Sequence, residues 1–169
     1  MELRKLCEHK ESLWKIEFGD REAQFSSGDI SLYICLIDGK FPDYRMILSD
    51  LKHQRSLSIS RQSLLNVFRR VSIFISKNNT SVNFELGGDT LILKTINPEY
   101  GEFREELSVD YDGDPIKIAF NLRYFQDILS AVESDILNIE LGETLDPCII
   151  QVPDRNDCKF IVMPMRLNG

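Results

Sequence analysis

Two carboxylates, Asp112 and Asp114 in the stretch YDGDP, are the residues of this sequence that come closest to a catalytic pair. Paired carboxylates serve as general acid and base in many enzymes. An Asp-Gly-Asp-Pro stretch between two predicted strands is, however, typical of a turn. The sequence also has no glycine-rich phosphate-binding loop and no nucleophile elbow. We therefore expect a protein that is not an enzyme.

Metal chemistry has equally little support in the sequence. The four cysteines form no Cys-x-x-Cys pair and are Cys7, Cys35, Cys148 and Cys158. Their only possible histidine co-ligands are His9 and His53. We expect no metal, no cofactor and no disulfide. The apolar neighbours of Cys35 and Cys148 predict that both are small core residues.

Positive charge is concentrated on one predicted helix, residues 61–75. Apolar residues recur there at helical spacing, as in Leu64, Phe68 and Val71. The same segment contains no acid and carries three arginines, which are Arg61, Arg69 and Arg70. Taken alone, such arginines are most simply the solvated face of an amphipathic helix.

The sequence ends in an apolar run, FIVMPMRL, although chain termini are usually polar. A strand that closes the core accounts for residues 160–162. It does not account for Met-Pro-Met-Arg-Leu, which follows. Methionine side chains are flexible and polarisable, and they suit a surface that repacks around different partners.

These groups are positioned by a unit that repeats along the chain. Three segments alternate apolar and polar residues, place a glutamate between two large apolar residues, and then turn at a glycine; they are WKIEFGD (14–20), VNFELGGD (82–89) and LNIELGE (137–143). This pattern predicts a half-buried strand that enters a tight turn. Glu85 and Glu140 lie 55 residues apart, which is long enough for a whole supersecondary unit.

Each repeated strand follows a predicted helix and precedes two more strands. The helices are residues 2–9, 61–75 and 122–132, with Ser60 and Asn121 as N-caps of the last two. The further strands are 22–25, 30–37, 90–96, 102–110, 148–152 and 159–163, and leading strands are 56–60 and 116–120. We expect an α+β fold of β-α-β-β-β units, with antiparallel sheets on one side and helices on the other. The first copy lacks a leading strand, and residues 38–50 predict a boundary with a turn and an extended stretch.

Composition sets outer limits on function. With 43% hydrophobic and 28% charged residues, the 169-residue chain has the composition of a globular protein. No apolar stretch approaches the ~20 residues of a membrane span. The charged N-terminus lacks a signal-peptide core, so we expect a cytoplasmic protein. The net charge of −7 disfavours non-specific binding of nucleic acid by the chain as a whole.

Four stretches, GKFPDYRMIL, INPEYGEFREEL, IAFNLRYFQDIL and FIVMPMRL, resemble the β sliding clamp of bacterial DNA polymerase III in their order and spacing. The resemblance implies the DNA clamp fold, with helices on the inner face of a ring. It covers the C-terminal part of the family's subunit: residues 1–45 would be the second half of the middle domain, 46–50 a linker and 51–169 the third domain. It implies a non-catalytic processivity factor that encircles duplex DNA at the replication fork.

The resemblance also implies residues that face DNA. Helices that line the ring would contact phosphates without reading bases, as sliding requires. On this chain the DNA-facing residues would be Arg4, Lys5, Arg61, Arg69, Arg70 and Arg123.

Two further sets of residues follow from the resemblance. A pocket for short linear peptides of the replicative polymerase, the clamp loader and repair proteins would be formed by Pro42, Met46, Ile47, Asn121, Tyr124, Val162, Met163, Pro164, Met165, Arg166 and Leu167. The interface with another clamp subunit would contain Ile73, Phe74, Glu99 and Glu102. At least one of Ile73 and Phe74 is expected in the core, because adjacent helical residues point about 100° apart.

The sequence departs from the family pattern in two ways. Met46 stands where clamps commonly carry a basic residue, and the half-domain that would form the other pocket wall is absent. We expect a half-built pocket. The alternative function is an interaction module that binds partner peptides or clamp subunits without encircling DNA. An open sheet edge in residues 1–45 also predicts a two-fold symmetric homodimer through this segment.

Overall fold

The computed structural model describes residues 13–50, 55–76, 79–153 and 155–167. The chain divides into two compact units, and the division falls between Asp43 and Tyr44 in the sequence. The first unit contains an antiparallel meander of three strands: β1 (Lys15–Phe18), β2 (Glu22–Ser27) and β3 (Ile30–Cys35). The helix predicted at residues 2–9 lies outside the described residues.

The second unit holds the two complete copies of the repeat. A short helix, α1 (Tyr44–Asp50), precedes them. The first copy consists of β4 (Arg55–Ser60), α2 (Arg61–Val71), a 3-10 turn (Ser72–Phe74), β5 (Ser81–Gly87), β6 (Thr90–Asn97), β7 (Gly101–Ser108) and β8 (Asp110–Asp112). The second copy consists of β9 (Ile116–Asn121), α3 (Leu122–Ala131), β10 (Ile136–Leu141), β11 (Cys148–Val152) and β12 (Arg155–Val162).

The two copies exchange their leading strands. One sheet has the order β12-β11-β10-β4-β8 and the other β7-β6-β5-β9. Strand β4 leads the first copy but pairs with β10 of the second, with Leu57 opposite Ile139. Strand β9 leads the second copy but pairs with β5 of the first, with Ile118 opposite Phe84. All pairings are antiparallel, and the predicted α+β class is confirmed.

Each copy also ends by crossing into the other sheet, which the sequence did not predict. Residues 102–110 were expected to form one strand, but β7 ends at Ser108 and β8 pairs with β4 in the neighbouring sheet. The C-terminal tail makes the equivalent crossing. After β12, the Met165 amide donates to the Ala119 carbonyl of β9 at 2.7 Å.

The core lies where both helices pack on the sheets. Phe68 of α2 and Phe125 of α3 meet edge to face at 6.0 Å, and both rings contact Phe84 of β5. All three side chains are buried, and each contributes about 1.5–3 kcal/mol of hydrophobic stabilisation. The predicted caps are confirmed: Ser60 Oγ accepts from the Ser63 amide, and Asn121 Oδ1 accepts from the Arg123 amide.

One prediction about the segment around the boundary between the units is wrong. The stretch expected to be extended begins a helix at Tyr44, with Asp43, a favoured residue type before a helix, directly in front of it. The predicted 46–50 linker therefore lies within α1.

Cys35 is exposed and not a core residue, whereas Cys148 is buried as predicted. The difference arises because strands and helices cover Cys148 in the second unit, while the described part of the first unit is a lone meander.

The YDGDP stretch forms the predicted turn. Asp112 and Asp114 are exposed, and the Asp114 carbonyl accepts hydrogen bonds from Tyr111 Oη at 2.6 Å and Arg55 Nε at 3.2 Å. Gly113 has φ of +145°, and a Cβ there would lie 2.6 Å from Arg55 Cγ. The glycine is therefore needed for the close approach of Arg55.

Candidate functional site

Two of the predicted DNA-facing arginines are exposed on the helices. Arg69 lies near the end of α2 and Arg123 in the first turn of α3. Within the described residues, neither guanidinium has a hydrogen bond or ion pair. These two positive charges are therefore available to an anion.

The other two described arginines of this set are already engaged. Arg61 Nε and Nη2 both donate to the Leu129 carbonyl, at 3.0 and 2.7 Å. This half-buried guanidinium satisfies a carbonyl at the C-terminal end of α3, where positive charge is favoured. Arg70 Nε and Nη2 donate to both carboxylate oxygens of Glu105 on β7. This hydrogen bonding raises the pKa of Arg70. The predicted Arg4 and Lys5 lie outside the described residues.

The C-terminal tail is anchored and still presents apolar side chains. Pairing of Met165 with Ala119 fixes it two residues before Asn121, at the end of β9 that leads into α3. Met163 is 55% exposed and Leu167 is 42% exposed. The pairing of Met165 therefore holds the backbone on which these exposed side chains sit.

The remaining predicted pocket residues occupy several environments. Tyr124, in the first turn of α3, is 54% exposed. Val162 is buried in the core, and Asn121 uses its side chain to cap α3. The half-buried members are Ile47, Pro164 and Met165, and the other exposed ones are Pro42, Met46 and Arg166. Pro42 belongs to the first compact unit and the rest to the second.

The predicted ring-interface residues gather around the β6–β7 turn and the 3-10 turn. Ile73 is 66% exposed, while Phe74 packs on Phe103 with ring centroids 5.4 Å apart. Of the two, Phe74 is thus the residue that packs against the core, and it is half-buried there. Glu99 and Glu102 are exposed on and beside the β6–β7 turn.

A buried asparagine organises this region, and the sequence analysis missed it. Asn97 is 4% exposed. Its Nδ2 donates to the Phe74 carbonyl at 2.8 Å, and its Oδ1 accepts from the amides of Glu99 and Tyr100. One side chain therefore ties the 3-10 turn to the β6–β7 turn. Asparagine before Pro-Glu-Tyr-Gly was the available signal, because Asn side chains commonly bond the backbone two residues on.

Two exposed apolar residues extend the same surface. Ile96 is 67% exposed and Tyr100 is 61% exposed. The side chain of Ile96 points outward from β6, on the same side as those of Thr90, Ile92 and Lys94. An isoleucine in the outward phase of a strand, directly before a turn, was the signal that could have identified this surface.

The described part of the chain contains no cluster of three or more His, Cys, Asp or Glu side chains suited to a metal ion. None of its helices is long and apolar enough to cross a membrane.

Comparisons of the sequence with known proteins find matches in one family. The sequence profile of "DNA polymerase III beta subunit, C-terminal domain" matches residues 51–166. The beta sliding clamp of Pseudomonas putida is 31% identical over 168 residues, and that of Pseudomonas aeruginosa is 28% identical over 167. Both alignments cover 99% of this chain and 45% of the relative, so the chain spans less than half the length of these relatives.

Solved structures share the fold. The crystal structure of the Pseudomonas aeruginosa sliding clamp matches with a TM-score of 0.82 at 28% identity, over 98% of this chain and 45% of that one. The Bartonella birtlesii clamp, solved with griselimycin bound, matches with a TM-score of 0.83 at 29% identity and the same coverage. The chain therefore belongs to the DNA polymerase III beta subunit family, the beta sliding clamps, which are non-enzymatic processivity factors.

Proposed function

We propose that this chain is the C-terminal portion of a sliding clamp, and that in an intact ring it encircles duplex DNA in the cytoplasm. The observation that carries the proposal is the pair of helices α2 and α3. They pack side by side through Phe68 and Phe125, and they leave Arg69 and Arg123 exposed and unpaired among the described residues. Such a face holds phosphates without reading bases, which suits a protein that slides.

The geometry divides the predicted DNA-facing residues into two classes. Arg69 and Arg123 are the proposed phosphate contacts. Arg61 serves the C-terminal end of α3, and Arg70 is held by Glu105. A phosphate would have to displace that carboxylate to reach Arg70. Arg4 and Lys5 stay predictions.

The proposed phosphate contacts are tested by the salt dependence of DNA binding. In a ring that contains this chain, replacing Arg69 and Arg123 together by alanine should weaken retention on DNA. The slope of log K against log salt should fall by roughly 0.9 for each phosphate that the variant no longer neutralises. Single replacements in the same ring would apportion the loss between the two arginines.

Arg155 provides a matched control. It is also an exposed arginine, but it lies on β12 and pairs with Asp157 at 2.8 Å. Arg155→Ala removes the same charge and should leave the salt slope unchanged. Equal slopes for the helix variants and the Arg155 variant would contradict the proposed DNA face.

The tail surface is the proposed docking site for short peptides of the replicative polymerase, the clamp loader and repair proteins. It combines Tyr124 at the start of α3 with Met163 and Leu167 of the anchored tail. Aromatic side chains in such sites often carry most of the binding free energy. In the intact clamp, Tyr124→Ala should weaken binding of a polymerase-derived clamp-binding peptide by about tenfold or more.

Leu145 offers the control for peptide binding. It is 66% exposed, in the turn between β10 and β11. Leu145→Ala removes a similar apolar area and should not change the affinity for the peptide. If Tyr124→Ala and Leu145→Ala bind the peptide equally well, the proposed docking site is wrong.

The second candidate function is an interaction module that binds partner peptides or clamp subunits without encircling DNA. The net charge of −7 favours it, because an acidic chain that does not close a ring has little affinity for DNA. The two functions predict different retention on circular and on linear DNA. A ring is retained on circular DNA and slides off linear DNA, whereas a module shows no such difference.

A further inference from the structure

The surface predicted to meet another clamp subunit is divided between two segments of the chain. Ile73 belongs to the 3-10 turn that follows α2, whereas Glu99 and Glu102 lie on and beside the β6–β7 turn. The second segment also exposes the apolar side chains of Ile96 and Tyr100. A surface made of two segments fits a partner only when their relative position is fixed, because a partner must otherwise order them as it binds.

Asn97 supplies the hydrogen bonds that join these two segments. Its buried Nδ2 donates to the Phe74 carbonyl at 2.8 Å, although the two residues lie 23 positions apart in the chain. Its Oδ1 accepts from the Glu99 amide at 2.8 Å and from the Tyr100 amide at 3.3 Å. Among the described residues, no second hydrogen bond joins the 3-10 turn to residues 97–102.

The other contact between the segments is apolar. Phe74 packs on Phe103 of β7, and this contact keeps the Phe74 ring against the core. Packing of this kind has no preferred direction, whereas a hydrogen bond to a carbonyl constrains the plane of the peptide. The Phe74 carbonyl follows Ile73 by one residue. The bond from Asn97 therefore holds the 3-10 turn with Ile73 outward and Phe74 inward.

We propose that Asn97 is a positioning residue for the association of clamp subunits, and that it holds Ile73 and the β6–β7 turn in the one arrangement that a partner subunit contacts. This inference rests on the proposed function, because it concerns closure of the ring. Asn97 itself makes no contact with the partner, since its side chain is 4% exposed. It acts through the residues that it fixes.

Removal of the Asn97 side chain from the intact clamp tests the proposal. Asn97→Ala leaves the two segments to move separately, and it should weaken association between subunits by about tenfold. Sedimentation at several concentrations measures this change. Unchanged association would overturn the proposal.

Ser60→Ala is the matched control for stability. Ser60 Oγ accepts from the Ser63 amide at the opposite end of α2, and loss of such a cap destabilises a fold about as much as loss of a buried hydrogen bond. This variant should associate like the unchanged clamp. Equal weakening in the Ser60 and Asn97 variants would assign the effect to lower stability alone and overturn the proposal.

Asn97→Asp separates the bond between the segments from the conformation of the β6–β7 turn. A carboxylate still accepts from the Glu99 and Tyr100 amides, but it cannot donate to the Phe74 carbonyl. We expect this variant to associate as weakly as Asn97→Ala. Clearly tighter association than that of Asn97→Ala would show that the bond to Phe74 does not govern the surface.

A double-mutant cycle shows whether Asn97 acts through Ile73. In a clamp that already carries Ile73→Ala, Asn97→Ala has less contact to misplace and should weaken association by clearly less than tenfold. A purely structural role for Asn97 would give the same loss with and without the Ile73 side chain, and it would overturn the proposal.

Ile73→Ala alone separates this inference from the function on which it rests. Normal association of that variant would show that the predicted interface is wrong, and the role of Asn97 with it, while retention on circular DNA still tests the clamp function. Weak association of Ile73→Ala together with normal association of Asn97→Ala would overturn the role of Asn97 alone.

Discussion

The same strand pattern occurs in both units, but its apolar side chains are exposed in the first unit and buried in the second. WKIEFGD and LNIELGE alternate alike, and both form strands that enter a turn. Yet Leu141 of β10 is 1% exposed, while Phe18 at the equivalent position of β1 is 74% exposed. Alternation thus determines the strand and which residues share a face. Burial depends on the strand and helix that cover that face, and these come from distant sequence.

The largest expected effect compares two isoleucines at the equivalent position. Ile139→Ala removes a side chain that is 2% exposed and should lower the free energy of unfolding of the second unit by about 2–5 kcal/mol. Ile16→Ala, at a site that is 50% exposed, should change the free energy of unfolding by about 0.5 kcal/mol or less. Urea denaturation followed by circular dichroism measures both.

The two variants must be compared as monomers, because the homodimer that the sequence predicts through residues 1–45 would make the unfolding free energy depend on concentration. Both variants are therefore measured at a concentration where sedimentation shows monomers. An equal loss for the two isoleucines would mean that β1 is covered as well as β10, contrary to the structure.

Local patterns were sufficient to predict most elements of the fold. Strand positions, the caps Ser60 and Asn121, and the class followed from period-2 and helical spacing with favoured capping residues. The exchange of β4 and β9 between repeats did not follow, because pairing between strands that are distant in sequence leaves no local signal. The same reason hid the break at Val109, where the chain changes sheets while its alternation continues.

The site was predicted less completely than the fold. The sequence grouped Arg61, Arg69 and Arg70 on one helix, but it could not show which guanidiniums have partners. Arg61 reaches a carbonyl of α3 and Arg70 a carboxylate of β7. Those partners lie 68 and 35 residues away in the chain. Whether a guanidinium has a hydrogen-bond partner depends on the tertiary structure. Sequence spacing alone therefore cannot distinguish paired arginines from unpaired ones.

A second prediction compares the turns between the second and third strands of the meanders. Asn97 in the second unit is buried and bonds the Phe74 carbonyl and two amides, whereas the equivalent turn of the first unit holds exposed Asp29. Asn97→Ala leaves those groups without partners and should cost about 1–3 kcal/mol of unfolding free energy. Asp29→Ala should change the unfolding free energy by about 0.5 kcal/mol or less. Similar small changes in unfolding free energy for both variants would contradict this prediction. They would show that water replaces the hydrogen bonds of the Asn97 amide without loss of stability.

The smallest expected effect concerns the repeated glutamate. The pH dependence of the free energy of unfolding should distinguish the glutamate of the second unit from that of the first. Glu85 Oε2 accepts from Lys94 Nζ at 2.8 Å, and Oε1 lies 3.2 Å from Lys117 Nζ. These lysines stand on the two strands that flank β5. Hydrogen bonding from Lys94, and then from Lys117, holds the pKa of Glu85 below its ordinary value of 4.5. A lowered folded-state pKa stabilises the fold above the ordinary value, and this stabilisation is lost as pH falls through the folded-state pKa.

Glu85→Gln should therefore be less stable than the unchanged chain by about 1 kcal/mol near neutral pH. The difference should shrink steadily as the pH falls below 4.5, the ordinary pKa of this carboxyl group. Glu17→Gln is the matched control, because among the described residues β1 pairs with β2 alone and its glutamate pairs with Lys15 of the same strand. It should leave unfolding of the second unit unchanged at every pH. A constant difference between Glu85→Gln and the unchanged chain from pH 7 to pH 3 would show that the flanking lysines contribute nothing through charge, and that covering β5 stabilises it through its apolar face alone.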